Sequence, residues 1–350
     1  MNKTVRIGKS LIGQGCPVFV IAEAGVNHNG DVGLARQLID AAISAGADAV
    51  KFQTFNAEAI AASDSPKANY QLATTSPEQS QLEMLRQLEL SRDAHYTLKS
   101  YCDEQGITFL STPFDLPSVD LLDRLSVPAY KVSSGDLTNL PLIEQVSRKG
   151  KPVILSTGMA TLEEVGTAVE TVQDAGCNEL ILLHCVSNYP AIPDEVNLRA
   201  METMEQEFKV PVGFSDHTQG IAISLAAVAL GAAVIEKHFT FDRNLPGPDH
   251  QASLEPTELS ALVKGIRSIE RALGDGRKKP TQAELETARV ARRSIMAGIS
   301  LKAGTVLQPD ALVLKRPGTG LPPSMLKSII GKRARIDIPA GTIIKLEMLD

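Results

Sequence analysis

Cysteine is scarce in this sequence, long apolar runs are missing, and basic residues do not outnumber acidic ones. The four cysteines, Cys16, Cys102, Cys177 and Cys185, are dispersed, without metal-knuckle, redox-pair or disulfide-framework spacing. That excludes a disulfide-stapled scaffold and fits a reducing, cytoplasmic setting. The early apolar run from Val18 to Ala22 is short and ends at Glu23, so it reads as neither a signal peptide nor a membrane span. Against 35 Lys and Arg stand 41 Asp and Glu, a formal charge of −6. Such a chain is not drawn as a whole to nucleic acid or to an anionic membrane. Any anionic ligand therefore needs a local basic pocket.

What is present is the composition of a globular protein: 350 residues, 43% apolar and 22% charged, enough for two domains or for one large barrel with an appendage. Eight short β-branched runs recur: Val18 to Ala22, Ala49 to Gln53, Ile107 to Ser111, Ala129 to Ser133, Val153 to Ser156, Glu179 to His184, Val212 to Ser215 and Val234 to His238. Helical patterns separate them. Leu34, Leu38, Ala41 and Ala45 form one stripe, and Thr161 with Glu164 has capping-box spacing ahead of Val165, Val169 and Val172. Apolar strands alternating with crossover helices imply a parallel sheet. Eight units match a closed (β/α)8 TIM barrel, with a doubly wound sheet as the alternative. The barrel is favoured because nearly every strand ends in polar residues, and in a barrel those ends ring one mouth.

After Leu273 the stretch GDGRKKPTQAE breaks the helical period of Leu259, Val263, Ile266 and Ile269. The expected division is an α/β barrel domain over residues 1–275, a linker over 276–290 and a small domain over 291–350. The small domain holds a near-repeat, ISLKAGTVLQPDAL and IDIPAGTIIKLEML, each with an Ala-Gly-Thr turn. Between the copies, KRPGTGLPP presents Lys315 and Arg316 on a Pro- and Gly-stiffened loop suited to a lid.

The chemistry-bearing residues fall at the strand ends. His217, in SDH, and His238, in EKHF, end adjacent strands. Two imidazoles can hold a first-row divalent metal with positions open for water and substrate; each can equally be a hydrogen-bonded buried histidine. His28, in VNHNG, is a third candidate. Lys51 and Lys131 sit in apolar strands, where a lysine needs an anionic partner or a shifted pKa. With Thr112 and Ser134 they suit a cradle for phosphate and carboxylate; the alternative is a salt bridge to Glu23 or Asp136. Glu23 and Asp136 are carboxylates suited to moving a proton, binding a metal-bound water or orienting hydroxyls. Gln53, Tyr189 and Asp249 suit a polyhydroxylated ligand.

Taken together, AEAGVNHNG, VKFQTF, FLSTPFD, YKVSSGD, LSTGMAT, LLHCVSNYP, GFSDHT, EKHFT, GPDH and KRPG resemble the sialic acid synthase family along essentially the whole chain. The resemblance implies a (β/α)8 barrel followed by an antifreeze-like (SAF, β-clip) domain in a swapped homodimer. It implies condensation of phosphoenolpyruvate with an N-acylated mannosamine to give a nine-carbon 2-keto acid. In that pattern His217 and His238 bind a divalent metal, Mn2+ first, with Mg2+ or Co2+ as substitutes. Lys51, Thr112, Lys131, Ser134 and Ser215 match the phosphoenolpyruvate pocket, and Gln53, Tyr189 and Asp249 match the sugar contacts. Glu23 and Asp136 match two acidic groups near metal and sugar, and Arg316 matches an arginine inserted into the partner subunit's barrel.

Three positions depart from the pattern. Asp136 stands where some members have glutamate, Ser187 where others have asparagine or threonine, and Thr74 where several have a sugar-contacting asparagine. The expected reaction is N-acetylneuraminate synthesis from N-acetylmannosamine, with water adding and phosphate leaving by C–O cleavage. The alternative keeps the chemistry and takes 2,4-diacetamido-2,4,6-trideoxymannose, giving legionaminate. Pseudaminate synthesis is disfavoured because those members usually read SFE where this chain has SSGD. A non-catalytic glycan-binding role leaves the metal and phosphate groups without a purpose.

Overall fold

The computed structural model describes residues 4–68, 71–72, 75–76 and 78–350. It separates into two compact units, one running to Gly274 and one from Asp275 to Asp350.

The first unit opens with an antiparallel hairpin, β1 (Val5–Ile7) and β2 (Ser10–Ile12). Eight strands follow: β3 (Phe19–Gly25), β4 (Ala49–Thr54), β5 (Thr108–Pro113), β6 (Tyr130–Val132), β7 (Val153–Ser156), β8 (Leu180–Cys185), β9 (Val212–Asp216) and β10 (Val234–His238). All the ladders among them are parallel, in the order β5-β4-β3-β10-β9-β8-β7-β6. The edge strands β5 and β6 lie against each other, so the sheet curls into a nearly closed TIM-like barrel. Each of the eight expected runs forms one of these strands.

Side-chain alternation divides the apolar residues in two. Val20, Ala22, Val50, Phe52 and Phe109 face outward and pack with the helices, joining Leu38 and Ile39 of helix Val32–Ala45 in the main core. Phe19, Ile21, Ala49, Leu110, Ile154, Ile181 and Val234 point inward and pack with Val5, Ile7 and Ile12 of the hairpin. These inward apolar residues lie lower on their strands than Glu23, Lys51, Thr112, Lys131, Ser156 and Glu236. The hairpin thus seals the end of the barrel where the strands begin, and the polar layer lies toward the ends where they finish.

The helices stop and start where local chemistry dictates. Thr161 and Glu164 form the expected capping box on helix Leu162–Asp174, while Gly46 ends Val32–Ala45 in the left-handed region. In the second unit, the stretch expected as a linker carries a helix, Gln282–Ala291, capped by Thr281 and Glu284. The Pro280-Thr281 pair that reads as a breaker acts as a helix start. That unit then pairs β11 (Ser294–Ala297) with β12 (Leu312–Lys315). The two near-repeats meet through a bridge at Leu301–Ile338, and a second bridge, Met296–Ile343, joins β11 to the later repeat, around a core that includes Ile295, Leu307, Ile338 and Ile344. Among the described residues no helix is long and apolar enough to cross a membrane.

Candidate active site

A cavity of about 390 Å³ opens at the C-terminal ends of the barrel strands. Its floor is charged and buried. Lys51 of β4 and Lys131 of β6 are both almost fully buried, as are Glu23 of β3 and Glu236 of β10. The Lys51 ammonium lies 2.8 Å from the Glu23 carboxylate and 3.7 Å from that of Glu236, and donates to Thr112 Oγ1 at 3.0 Å. Lys131 donates to Ser156 Oγ at 2.6 Å and lies 3.8 Å from Glu236. Ser215 Oγ donates to Glu236 at 2.9 Å.

The two carboxylates differ in proton affinity. Burial pushes Glu23 up from 4.5 to about 7, with Lys51 opposing it. Burial also works against ionised Glu236, but Lys131 and Lys51 together outweigh it and hold that group below its ordinary value. Burial lowers Lys131, whereas at Lys51 the two glutamates overcome burial and raise it. Two cations against one firmly ionised carboxylate leave the floor receptive to an anion, with a second carboxylate able to hold or release a proton near neutrality.

Above the floor stand the imidazoles. His217 and His238 have ring centroids 5.4 Å apart, and the Tyr189 ring lies 4.0 Å from one and 5.5 Å from the other. Val186 O accepts from His217 Nδ1 at 2.7 Å, which fixes the tautomer that keeps a lone pair on Nε2. His238 Nδ1 is buried without a hydrogen-bond partner, 3.9 Å from the Asp249 carboxylate. Burial lowers His217 to about 4 and holds His238 well below 6.5, so both rings are neutral at pH 7, the form that ligates a metal. Two neutral imidazoles, one with an orphaned nitrogen, fit a divalent ion with open positions. Among the described residues no group of three or more His, Cys, Asp or Glu forms a fuller metal cluster.

Most residues expected at the site converge here: Gln53, Ser134, Ser187, Tyr189 and Asp249 line the same cavity as the floor and the imidazoles. Ser134 Oγ accepts from Gly158 N at 3.0 Å and lies 3.1 Å from Cys185 Sγ. A Cβ at Gly158 would come within 2.3 Å of Ser187 Oγ, so glycine is what admits this polar cluster. Burial raises Asp249 to about 6.

Several expectations land elsewhere. Asp136, expected as a catalytic carboxylate, does not line the cavity; it caps its own turn, accepting from Ser133 Oγ at 2.6 Å and Asn139 Nδ2 at 3.2 Å. The buried carboxylate paired with Glu23 is Glu236, on the opposite neighbour of β3. His28 is buried off the cavity, its Nδ1 accepting from Gly30 N at 3.0 Å. Arg316 is exposed just past β12 on the second unit. Thr74 lies outside the described residues. Glu236 was legible in principle: it stands two residues before His238, hence on the same face of the strand.

A family model described as the NeuB family matches residues 38–278, and an SAF domain matches residues 290–350. The chain belongs to the NeuB family. Its NeuB relatives include the N,N'-diacetyllegionaminic acid synthase of Legionella pneumophila, 47% identical over 97% of this chain and 96% of that protein. The enzyme of the same name from Campylobacter jejuni is 48% identical over 93% and 98%. A crystal structure of the N-acetylneuraminic acid (sialic acid) synthetase from Leptospira borgpetersenii, in complex with citrate, is 38% identical. It covers 82% of this NeuB chain and 95% of that one, with a TM-score of 0.72.

Proposed function

We propose that this NeuB-family chain condenses phosphoenolpyruvate with an N-acylated mannose-type sugar to a nine-carbon 2-keto acid. The observation that carries the reading is the floor of Lys51, Lys131, Glu236 and Glu23 beneath two neutral imidazoles at one barrel mouth. A buried pair of ammoniums supplies counter-charge for the phosphate and carboxylate of phosphoenolpyruvate, with Thr112, Ser134 and Ser215 as hydroxyl partners. Phosphoenolpyruvate C3 forms a bond to the aldehyde carbon of the open-chain sugar. Water then adds at C2, and phosphate leaves with its bridging oxygen by C–O cleavage.

The protein's own groups divide the work. Glu23, able to exchange a proton near pH 7, delivers one to the aldehyde oxygen or takes one from the incoming water. Gln53, Tyr189 and Asp249 orient the sugar. His217 and His238 would hold the divalent ion, Mn2+ with Mg2+ or Co2+ as substitutes, and when bound it supplies positive charge where the carbonyl oxygen gathers negative charge. Arg316 completes the sugar site from the partner subunit of a swapped homodimer.

Of the two candidate sugars, N-acetylmannosamine and 2,4-diacetamido-2,4,6-trideoxymannose, we favour the second. The two relatives at 47% and 48% identity are named for diacetyllegionaminate, the solved structure at 38% for N-acetylneuraminate. The test is phosphate release from phosphoenolpyruvate with Mn2+ and each sugar, with a chelator control. Faster release with the trideoxy sugar supports legionaminate synthesis, and faster release with N-acetylmannosamine moves the assignment to N-acetylneuraminate. Release that ignores the chelator removes the metal, and no release with either sugar removes the reaction.

A further inference from the structure

Between helix Ala57–Ile60, which follows β4, and helix Gln81–Leu88 stands a lysine that the site described above does not use. Lys67 is only 8% exposed, yet it lines neither the cavity at the strand ends nor a neighbouring one of about 490 Å³. Its ammonium donates instead to Thr75 Oγ1 at 3.0 Å and to Ser76 O at 2.7 Å, both neutral acceptors. Thr75 passes the contact on: its hydroxyl donates to Gln71 O at 2.6 Å, and its amide donates to the same carbonyl at 3.0 Å. Gln71 Oε1 in turn accepts from Ala68 N at 3.0 Å, and Gln71 borders the active-site cavity. One buried ammonium is thus tied, through a single hydroxyl, to the backbone of a residue at the site.

Packing alone gives this segment little to rest on. Gln71 borders the first cavity and Thr75 with Ser76 the second, and the two cavities share Met84, Leu88 and Pro248 as walls. A lysine is ordinarily solvated, and a buried ammonium loses its hydration, which only well-placed acceptors offset. Three N–H donors on one nitrogen let Lys67 hold two acceptors at once, drawing residues 75 and 76 onto residue 67. We infer that Lys67 is a positioning residue for the acceptor sugar, clipping the segment that follows it so that the Gln71 carboxamide is presented to the sugar. The charged groups that suit phosphoenolpyruvate sit on the strands themselves, whereas Gln71 comes from beyond the end of β4 and offers an uncharged amide, a partner for hydroxyl or N-acyl groups. The inference rests on the reading of the chain as a phosphoenolpyruvate-dependent synthase of N-acyl sugars.

The experiment is steady-state phosphate release with Mn2+ and whichever of N-acetylmannosamine and 2,4-diacetamido-2,4,6-trideoxymannose the unaltered protein turns over faster. Lys67→Met keeps the side chain's length and removes its donors. It is expected to raise the KM for the sugar about 5- to 10-fold, with kcat and the KM for phosphoenolpyruvate nearly unchanged. Lys67→Arg, which keeps the charge and the donors, is expected to recover most of that loss. Gln71→Ala is expected to give a rise of the same size, and the double variant Lys67→Met, Gln71→Ala no more than either alone. If Lys67→Met does not fold, Thr75→Val breaks the same relay by one hydroxyl and takes its place in the cycle. An unchanged sugar KM in the folded variants, parallel rises in both KM values, or effects at Lys67 and Gln71 that simply add overturn the inference and leave the synthase reading standing. No phosphate release by the unaltered protein with either sugar overturns both.

Discussion

Glu23 and Glu236 have the same side chain and face the same lysine, Lys51, yet only Glu23 holds its proton near neutrality. The difference lies in the second cation and the hydroxyl: Lys131 and Ser215 serve Glu236, while Glu23 is buried with, among the described residues, Lys51 as its one close ion-pair partner. A Glu23→Gln exchange keeps the shape and removes the exchangeable proton. It is expected to lower kcat by about 10²- to 10⁴-fold with little change in the KM for phosphoenolpyruvate, measured by steady-state phosphate release. Near-normal turnover would reassign the proton to another group. Glu236→Gln acts differently, because it strips the counter-charge from two buried lysines; its expected signature is a loss of thermal stability as well as of activity.

At the scale of the element, β10 places function on both of its faces. Glu236 and His238 point into the mouth, while Lys237 between them points into the layer beneath helix Ala222–Ala229. There its ammonium lies 3.0 Å from the Asp216 carboxylate, with neither side chain exposed, and it donates to Thr218 O. Asp216 also accepts from Thr218 N and Thr218 Oγ1, both at 2.8 Å, and from Ser224 Oγ at 2.5 Å. This network ties together the strand ends that carry both imidazoles. Lys237→Met leaves a buried carboxylate without its cation and is expected to cost about 3 to 5 kcal/mol, read as a drop in urea midpoint. An unchanged midpoint would mean that the three remaining donors suffice for Asp216.

At the scale of the whole molecule, buried neutral histidines set the acid limit. Burial lowers His28 and His250 from 6.5 to about 4, so in that range the unfolded chain binds protons that the folded chain refuses. Their contribution is intact above pH 6.5 and is lost as pH falls from 6.5 to about 4, on the order of 3 kcal/mol for each. Thermal melts between pH 7 and 4 check this, and His28→Asn should flatten part of the slope. The proposed swapped dimer makes a second whole-molecule prediction. Sedimentation should give a dimer, and Arg316→Ala should raise the KM for the sugar without dissociating it; a fully active monomer would end Arg316's role across subunits. Period and chain-local chemistry were enough to read the eight strands, their polar ends, the Thr161–Glu164 helix cap, and the residues Lys51, Lys131, His217 and His238 at one mouth, though not the Thr281–Glu284 cap. The tertiary structure decided which charges share a space. Asp136 is a strand-end carboxylate like Glu23, but its own turn supplies Ser133 and Asn139 as nearer donors, so it bonds locally. Glu236 faces Lys51 and Lys131 only because barrel closure brings β10 beside β3 and across from β6, a proximity between residues far apart in the chain. The apolar cluster of Val26, Phe55 and Phe114 has the same origin, since segments after three separate strands come together only when the strands are set side by side.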